Sequence, residues 1–520
     1  MEKITYASLG TLGEDFHRAY ESALGHEHKK LGQTHSLILN GHARKSSAGT
    51  FAVHSPTDTR VIVGHFQKAT PNHAREAVAA ARDAQIFWRD LGWQQRVSFL
   101  RKAADNIARH QFDLAALLTL EVGKNRFEAI AEVSEAVDLL LYYCAQTEAH
   151  HGYEMPMNGN GQEKTRSVLR PYGVWGVISP FNFPLALPAG MITAALLGGN
   201  TVVFKPASTA PASGLRLYEM FAHAGLPVGI LNFLTGDGET LGAELTKAHP
   251  GIDGLVFTGS RTVGMELLRH FTNGFPRPCV LEMGGKNPAL IMPSADLDAA
   301  AEGVMRSAFG MGGQKCSACS RVYVHEQIAR PFLDLLVEKT RARGVGDPAA
   351  RDTFLGPLID GRAVERFQKA VRLGAREGRV LLGGHVLKKD PFAHGHFVEP
   401  TILDQLPKTS RLFQDEYFAP LLAVASVASL DEAIALANGT DYGLTAGIFT
   451  KVDDEREQFF DAIEAGVTYS NRRGGATTGA WPGVQSFGGW KGSGATGRNA
   501  LGPHYVEQFM REQSRTLCGN

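Results

Sequence analysis

Short apolar runs alternate with helical segments between residues 173 and 282, and this alternation limits the fold more than any other feature. The apolar runs lie at 173–178, 201–205, 229–234, 255–257 and 280–282. The helical segments between them lie at 190–197, 213–223, 239–249 and 262–271. Strands that alternate with helices predict a parallel β-sheet with helices on its faces. A second alternating series from 289 to about 469 predicts another such sheet, so the expected fold class is α/β.

The segments before residue 173 have a different character. Residues 1–40 predict an N-terminal arm, first helical and then extended. We expect two short strands within 51–63, and helices at 71–88, 94–110 and 112–150, the last interrupted at Gly123. Residues 152–170 are polar and rich in glycine, which suits a hairpin or a protruding loop.

Length and composition exclude several classes of protein. A chain of 520 residues is too long for one simple core and predicts two or three domains. Lys and Arg together number 53, as do Asp and Glu, so no overall charge favours nucleic acid as a partner. Five cysteines, an odd number, favour a reducing compartment over a disulfide framework. The first residues lack the apolar core of a signal peptide, so we expect a cytoplasmic protein.

Residues 173–204 carry no charge and are long enough to span a bilayer. However, prolines, glycines and two asparagines interrupt the segment, and a lipid-facing helix would leave backbone groups unpaired at the prolines. We therefore expect a buried strand, loop, helix and strand rather than a membrane span.

Two Gly-rich turns carry the residues that indicate catalysis. Cys316 lies in Phe309-Gly-Met-Gly-Gly-Gln-Lys-Cys-Ser-Ala-Cys-Ser-Arg321, and Glu282 lies in Leu281-Glu-Met-Gly-Gly-Lys-Asn-Pro288. A thiol and a carboxyl on flexible turns can supply a nucleophile and a base that activates water. The glycines before Cys316 let the backbone approach a bound molecule closely.

Other interpretations of Cys316 stay open at this point. Most free cysteines are inert small hydrophobes in a core. Cys316 and Cys319 form a C-x-x-C pair, which could be a redox pair or half a zinc site. The neighbouring Lys315 favours the thiolate, and the chain lacks a second pair of ligands with zinc spacing, so we rank the nucleophile first and expect no metal.

Two further segments suggest a cofactor. Leu255-Val-Phe-Thr-Gly-Ser-Arg-Thr-Val-Gly264 predicts a strand, a turn and a helix whose N-terminus could hold a phosphate. Lys205 ends an apolar strand, at the edge where α/β sheets bind ligands, and could bond to ribose hydroxyls. Each feature has an ordinary alternative: the glycine in 255–264 could serve helix packing alone, and Lys205 could be a solvated lysine at a strand end.

Together, these motifs resemble the aldehyde dehydrogenase superfamily over about residues 35–515. The motifs occur in the family's order: Ser179-Pro-Phe-Asn-Phe-Pro184, the Lys205 strand, Phe257-Thr-Gly-Ser260, the Glu282 turn, the Cys316 turn, Glu416-Tyr-Phe-Ala-Pro420 and Ser486-Phe-Gly-Gly489. The resemblance implies a Rossmann-type cofactor domain (1–153 and 173–284), a catalytic domain (285–494) and a small oligomerisation unit (154–172 and 495–520).

The resemblance also implies catalytic roles. The Cys316 thiolate would attack the aldehyde carbon, and the Asn182 amide with the Cys316 backbone N–H would hold the oxyanion. Glu282 would activate water to release an acid rather than leave the acyl group for coenzyme A. The implied cofactor is NAD, with NADP open, and the implied cofactor-binding residues are Ser179, Lys205, Ser208, Gly259, Ser260, Glu416 and Phe418.

A finer resemblance is to the L-glutamate γ-semialdehyde (1-pyrroline-5-carboxylate) dehydrogenases. It rests on Gly313-Gln-Lys-Cys-Ser-Ala-Cys-Ser-Arg321, Tyr469-Ser-Asn-Arg472 and Thr478-Gly-Ala480. The resemblance implies a small anion site for the substrate carboxylate. The implied substrate-binding residues are Lys315, Ser317, Gly479, Ala480, Phe183 and Phe487.

The chain departs from this pattern near the expected substrate tunnel. Phe181 stands where many relatives have Trp, Ser470 replaces a Phe, Ser486 replaces a Pro, and Trp481-Pro482 is bulkier than expected. A general aldehyde dehydrogenase is therefore the alternative, and a catalytically silent binding relative is a remote one. The resemblance also implies a homodimer or larger homo-oligomer, formed through the 154–172 hairpin and the C-terminal segment.

Overall fold

The structure is a computed structural model that describes residues 4–6, 13–159, 161–247, 251–475 and 480–518. One seven-stranded sheet contains, in spatial order, Cys279–Glu282, Gly254–Thr258, Val174–Ile178, Thr201–Lys205, Leu231–Phe233, Leu37–Leu39 and His42–Arg44. The first five strands are parallel, and the last two join antiparallel. The predicted parallel sheet is confirmed. It also includes two strands of residues 37–44, which are too short for their sequence to predict their strand partners.

Helices surround this sheet. They span Glu14–His28, Pro71–Asp90, Trp93–Arg109, Gln111–Val122, Arg126–Ala149, Ala186–Leu197, Pro211–His223, Gly238–Leu245 and Arg261–Phe271. Gly123 caps Gln111–Val122 in the left-handed conformation that glycine favours, which confirms the predicted interruption. The strand Val174–Ile178 is buried at every position, as parallel strands covered on both faces are.

A second seven-stranded sheet begins directly after the Glu282 turn. Its strands, in spatial order, are Arg379–Leu382, Thr401–Asp404, Leu421–Val427, Cys319–His325, Asn287–Ile291, Thr445–Phe449 and Val467–Ser470. All neighbours pair in parallel except the edge strand Arg379–Leu382. Its helices are Leu297–Phe309, Ala329–Arg341, Gly361–Glu377, Leu430–Asn438 and Asp453–Ala462, with 3₁₀ turns at Gly310–Gly313, Glu326–Ile328 and Arg411–Phe413.

A three-stranded sheet joins two segments that are distant in sequence. Glu154–Met157 and Glu163–Pro171 form the expected hairpin. The C-terminal strand Met510–Cys518, which follows the 3₁₀ turn Val506–Phe509, pairs antiparallel with Glu163–Pro171 along its full length. Thus both segments that the resemblance assigns to oligomerisation form one structural unit.

Two smaller sheets complete the fold. One contains Gln33–His35, Ile62–Gln67 and Thr50–His54, and the other pairs Tyr442–Gly443 with Trp490–Lys491. The uncharged segment 173–204 forms the strand Val174–Ile178, the helix Ala186–Leu197 and the strand Thr201–Lys205, as expected. Among the helices of the described ranges, none combines the length and the apolar character that crossing a bilayer requires.

Candidate active site

The turn that carries Cys316 follows the helix Leu297–Phe309. Gly312 and Gly313 have φ of +63° and +66°, in the left-handed region. A Cβ on Gly313 would lie 2.3 Å from the carbonyl oxygen of Ala419, so only glycine fits there. The sequence therefore bends the chain sharply and presents Cys316 before the strand Cys319–His325 begins.

Asn287 holds the far side of this turn. Its side-chain Nδ2 donates to the carbonyl of Cys316 at 2.7 Å and to that of Ala318 at 3.0 Å. Its Oδ1 accepts from the backbone N–H of Thr445 at 3.0 Å. One buried amide thus ties Cys316 to two strands of the second sheet, a role that the sequence did not reveal.

Gln314 and Asn182 hold the near side. The buried Gln314 accepts from the N–H of Ile359 at 2.9 Å and donates to the carbonyl of Met311 at 3.2 Å. Asn182 donates from Nδ2 to the carbonyl of Gln314 at 3.0 Å and is 4% exposed. The amide expected to hold an oxyanion therefore lies against the Cys316 turn.

Glu282 ends the strand Cys279–Glu282 and lines the same cavity as Cys316. Its Oε2 is buried and has no hydrogen-bond partner within the described part of the chain. Burial holds the pKa of its carboxyl well above the usual value, and a hydrogen bond from the backbone of Gly489 opposes this only in part. A carboxyl with a raised pKa and a spare oxygen is suited to exchange a proton with water.

The surroundings of the Cys316 thiol oppose its ionisation. Burial raises its pKa to about 12, and the negative charges of Glu416 and Glu282 add to the rise, while hydrogen bonds from Ser317 lower it. Lys315, which we expect to favour the thiolate, pairs its ammonium with Glu128 at 2.8 Å. A nucleophilic role for Cys316 would therefore require that its thiol lose a proton before attack.

Cys319 has a separate, structural setting. It is buried in the second sheet and donates from Sγ to the carbonyl of Arg321 at 3.4 Å. Its backbone N–H donates to Ser307 Oγ at 3.2 Å. All five cysteines are free thiols. Within the described ranges, we find no cluster of three His, Cys, Asp or Glu residues that could hold a metal.

The cavity beside Cys316 extends toward the predicted substrate residues. Ser317, Ala480, Phe183, Phe487 and Lys315 all line it. Gly479, the remaining predicted residue, lies outside the described residues. The side chains of Tyr6 and Glu135 also line the cavity, although the sequence did not indicate either.

A buried charge network supports this end of the site. Lys124 and Glu132 form an ion pair with both side chains fully buried. Glu132 Oε1 also accepts from the N–H groups of Leu185 at 2.9 Å and Ala186 at 3.1 Å, at the N-terminus of the helix Ala186–Leu197. The network therefore fixes the loop that follows Asn182. The sequence held one indication of this network, because Glu128, Glu132 and Glu135 interrupt apolar residues in the helix Arg126–Ala149.

On the other side of the site, Lys205 and Ser179 form the expected cofactor edge. Lys205 Nζ donates to the carbonyl of Pro206 at 3.0 Å, and burial lowers its pKa to about 8. Ser179 Oγ is buried and, among the described residues, lacks a hydrogen-bond partner. Ser208 donates to the carbonyl of Gly236 at 2.8 Å. A buried lysine and an unpaired hydroxyl at the ends of parallel strands fit the hydroxyl groups of a dinucleotide.

The adjacent helix N-terminus fits a pyrophosphate. Ser260 caps the helix Arg261–Phe271 by accepting from Val263 N–H at 3.4 Å. Gly259 donates its N–H to the backbone carbonyl of Glu282 at 3.1 Å, which links the two turns. The free N–H groups and the dipole of the helix favour an anion at this point.

Glu416 and Phe418 line a small pocket together with Gly285, Gly313 and Lys315. Glu416 Oε1 accepts from Gly285 N–H at 2.9 Å, and burial raises the pKa of this carboxyl to about 7. The Phe418 ring lies edge-to-face with Phe181, with 5.9 Å between centroids. The aromatic pair thus forms beside the motif that carries Asn182, where the chain has Phe181 in place of a larger ring.

Comparison with known proteins gives a consistent result. The model of the aldehyde dehydrogenase family matches residues 43–514. A Bacillus licheniformis protein named 1-pyrroline-5-carboxylate dehydrogenase is 36% identical over 97% of this chain and 96% of its own. One of the same name from Bacillus pumilus is 37% identical over 97% and 96%. The crystal structure of a Thermus 1-pyrroline-5-carboxylate dehydrogenase with bound NAD superposes with a TM-score of 0.92, at 34% identity over 97% of each chain.

Proposed function

The chain belongs to the aldehyde dehydrogenase family, and on that premise we propose that it oxidises L-glutamate γ-semialdehyde to glutamate with NAD. The observation that carries the proposal is that Cys316 and Glu282 line one cavity, while Asn182 donates to the carbonyl of Gln314 in the turn that carries Cys316. A nucleophile, a base and an oxyanion donor are the groups that acyl chemistry through a thioester requires.

The residues supply the following sequence of events. Cys316 Sγ, once deprotonated, bonds to the aldehyde carbon, and the carbonyl oxygen becomes an anion that the Asn182 amide can hold. A dinucleotide bound near Ser179, Lys205 and Ser260 would supply the hydride acceptor, and loss of hydride from the C–H bond of the former aldehyde carbon would leave a thioester on Cys316. Glu282 then takes a proton from water, the water oxygen bonds to the acyl carbon, and the C–S bond breaks to release the acid.

Ser317 and Ala480 support a carboxylate at the end of the substrate remote from the aldehyde. Ser317 is buried beside the nucleophile, and Ala480 lines the same cavity. The curated relatives that match nearly the full chain carry the name of this activity. The positive charge of Lys315 contributes less than its position in the sequence implies, because Glu128 neutralises it.

The test compares kcat/KM for glutamate semialdehyde with that for pentanal and for benzaldehyde. We expect the carboxylated substrate to be better by a factor of ~10² or more, since an empty buried anion site loses hydrogen bonds to water without replacement. Ser317→Ala should reduce this advantage by lowering kcat/KM for the semialdehyde alone. A preference for the uncharged aldehydes in the wild-type enzyme would reject this substrate.

One observation favours a second candidate, a general aldehyde dehydrogenase. The wall of the cavity is largely apolar and includes Leu139, Leu187 and Met191, and Lys315 is already paired with Glu128. Such a surface binds aliphatic chains without need of a counter-charge. The same comparison of substrates separates the two candidates.

We further infer that the sheet formed by Glu154–Met157, Glu163–Pro171 and Met510–Cys518 contacts another subunit. Met155, Met157 and Leu517 on it are 60%, 52% and 63% exposed, which is unusual for large apolar side chains on one small unit. Sedimentation of the wild-type protein and of a Met155→Lys/Met157→Lys variant tests the interface: the variant should dissociate into smaller species.

The five free thiols support a reducing, cytoplasmic location.

A further inference from the structure

Tyr6 lines the cavity that contains Cys316, although it lies near the start of the sequence. Its side chain lines the same cavity as Cys316 and Glu282. The next described helix, Glu14–His28, packs against the helix Gln111–Val122 and does not line the cavity. The N-terminal residues therefore contribute a side chain to a site built otherwise by residues beyond position 120.

The contacts of Tyr6 fix its ring in place. Its hydroxyl donates to Glu135 Oε2 at 3.0 Å. Its ring lies edge-to-face with Phe183 at 5.9 Å and with Trp481 at 5.8 Å between centroids. The ammonium of Lys315 lies 5.4 Å from the ring centroid. Aromatic contacts of this geometry, a cation over the ring and a buried hydrogen bond each oppose displacement of the side chain.

These contacts also locate Tyr6 within the cavity. Phe183 and Lys315 are among the predicted substrate-binding residues, and Trp481 directly follows Ala480, another of them. Tyr6 therefore lies beside residues that are expected to bind the substrate. Burial and the charge of Glu135 hold the pKa of the Tyr6 phenol well above its usual value, so it remains a protonated donor.

We propose that Tyr6 is a specificity-determining residue: its ring closes the remote end of the cavity and limits the length of the aldehyde that reaches Cys316. The proposal rests on aldehyde oxidation at Cys316 but not on the identity of the physiological aldehyde. A longer substrate must displace the ring from Phe183, Trp481 and Glu135, whereas a short one leaves these contacts intact.

The test measures kcat/KM for straight-chain aldehydes from butanal to decanal, with the wild-type enzyme and with Tyr6→Ala. We expect the ratio of kcat/KM for decanal to that for butanal to rise by ~10-fold or more in the variant, the scale for several methylene groups gaining space in an apolar pocket. Tyr6→Trp should lower the same ratio, and Tyr6→Phe, which keeps the ring, should change it little.

Ile4→Ala is the matched control, because Ile4 packs on the core from the same segment without lining the cavity. It should preserve the length profile. Equal profiles for wild type, Tyr6→Ala and Tyr6→Trp would overturn the proposal. If Tyr6→Ala fails to fold, the Tyr6→Trp profile alone decides. Equal profiles can be distinguished from failure of the proposed glutamate semialdehyde activity. That failure would appear as a lost preference of the wild-type enzyme for the carboxylated substrate, with the decanal-to-butanal ratios of the variants unchanged.

Discussion

Asn287 donates its side-chain amide to the carbonyl of Cys316 at 2.7 Å. The strand Asn287–Ile291 begins directly after the turn that carries Glu282, so this bond fixes the nucleophile relative to the base. A nucleophile and a base tied to the ends of strands in two rigid sheets are positioned more accurately than side chains on independent loops.

Replacement of Cys316 by Ala should abolish dehydrogenase activity and leave the fold intact. The reason is that Cys316 alone offers a thiol to the cavity, while Cys319 is buried in the sheet. NADH formation and circular dichroism measure the two properties. Cys319→Ala is the control and should lose far less activity. Equal losses in both variants would instead indicate a redox pair.

Glu282→Gln should allow acylation but stall hydrolysis. We expect one burst of NADH per active site followed by little turnover, because water attack comes after hydride loss. Stopped-flow absorbance measures the burst. The raised pKa of Glu282 keeps its carboxyl protonated below that pKa, so steady-state turnover of the wild-type enzyme should increase as pH rises toward it. Loss of the burst as well would mean that Glu282 acts earlier, on the Cys316 thiol.

Asn182→Ala should reduce kcat by a factor of about 10²–10³, the usual loss for one oxyanion donor. Asn182 donates to Gln314 at 3.0 Å in the structure, so the substitution also removes one contact of the turn. Asn182→Asp keeps the size but removes the donor and should be equally slow. An unchanged rate in both variants would show that the oxyanion is held elsewhere.

Local pattern predicted a large part of this architecture. The strand Thr201–Lys205 has the predicted bounds, and the helix Pro71–Asp90 exceeds its predicted end by two residues, 90 against 88. Gly123 and Gly313 occupy backbone conformations and spaces that only glycine fits, so the turns at these positions could be predicted from the local sequence. The order of the family motifs predicted the catalytic roles.

Contacts between distant segments were not predictable in the same way. Tyr6 meets Glu135 across 129 positions, and no local periodicity encodes such a pairing. The pairing of Lys315 was not predicted because its partner, Glu128, lies far away in sequence, on the helix Arg126–Ala149. The sign of an electrostatic effect depends on all neighbouring charges, and the sequence gives only the adjacent ones.

Glu132→Ala should lower the free energy of unfolding by about 3–5 kcal/mol, because it leaves the fully buried Lys124 without its partner. It also removes the acceptor for two N–H groups at the start of the helix Ala186–Leu197. Urea denaturation measures the loss. The matched control is Asp334→Ala, which breaks an exposed pair with Arg330 and should cost less than ~1 kcal/mol. Similar losses would show that the buried pair contributes no more than a surface one.

Glu416→Gln should change how stability depends on pH. Burial raises the pKa of Glu416 from its ordinary 4.5 to about 7, against an opposing hydrogen bond from Gly285. Between these values the folded protein holds a proton that the unfolded chain releases, so this group makes the free energy of unfolding fall as pH rises. Gln does not titrate and can still accept from Gly285. The stability of the wild type relative to the variant should therefore fall by about 3 kcal/mol between pH ~4.5 and ~7. Urea denaturation at one protein concentration across this range measures the difference, and parallel profiles would mean that Glu416 is ionised at neutral pH.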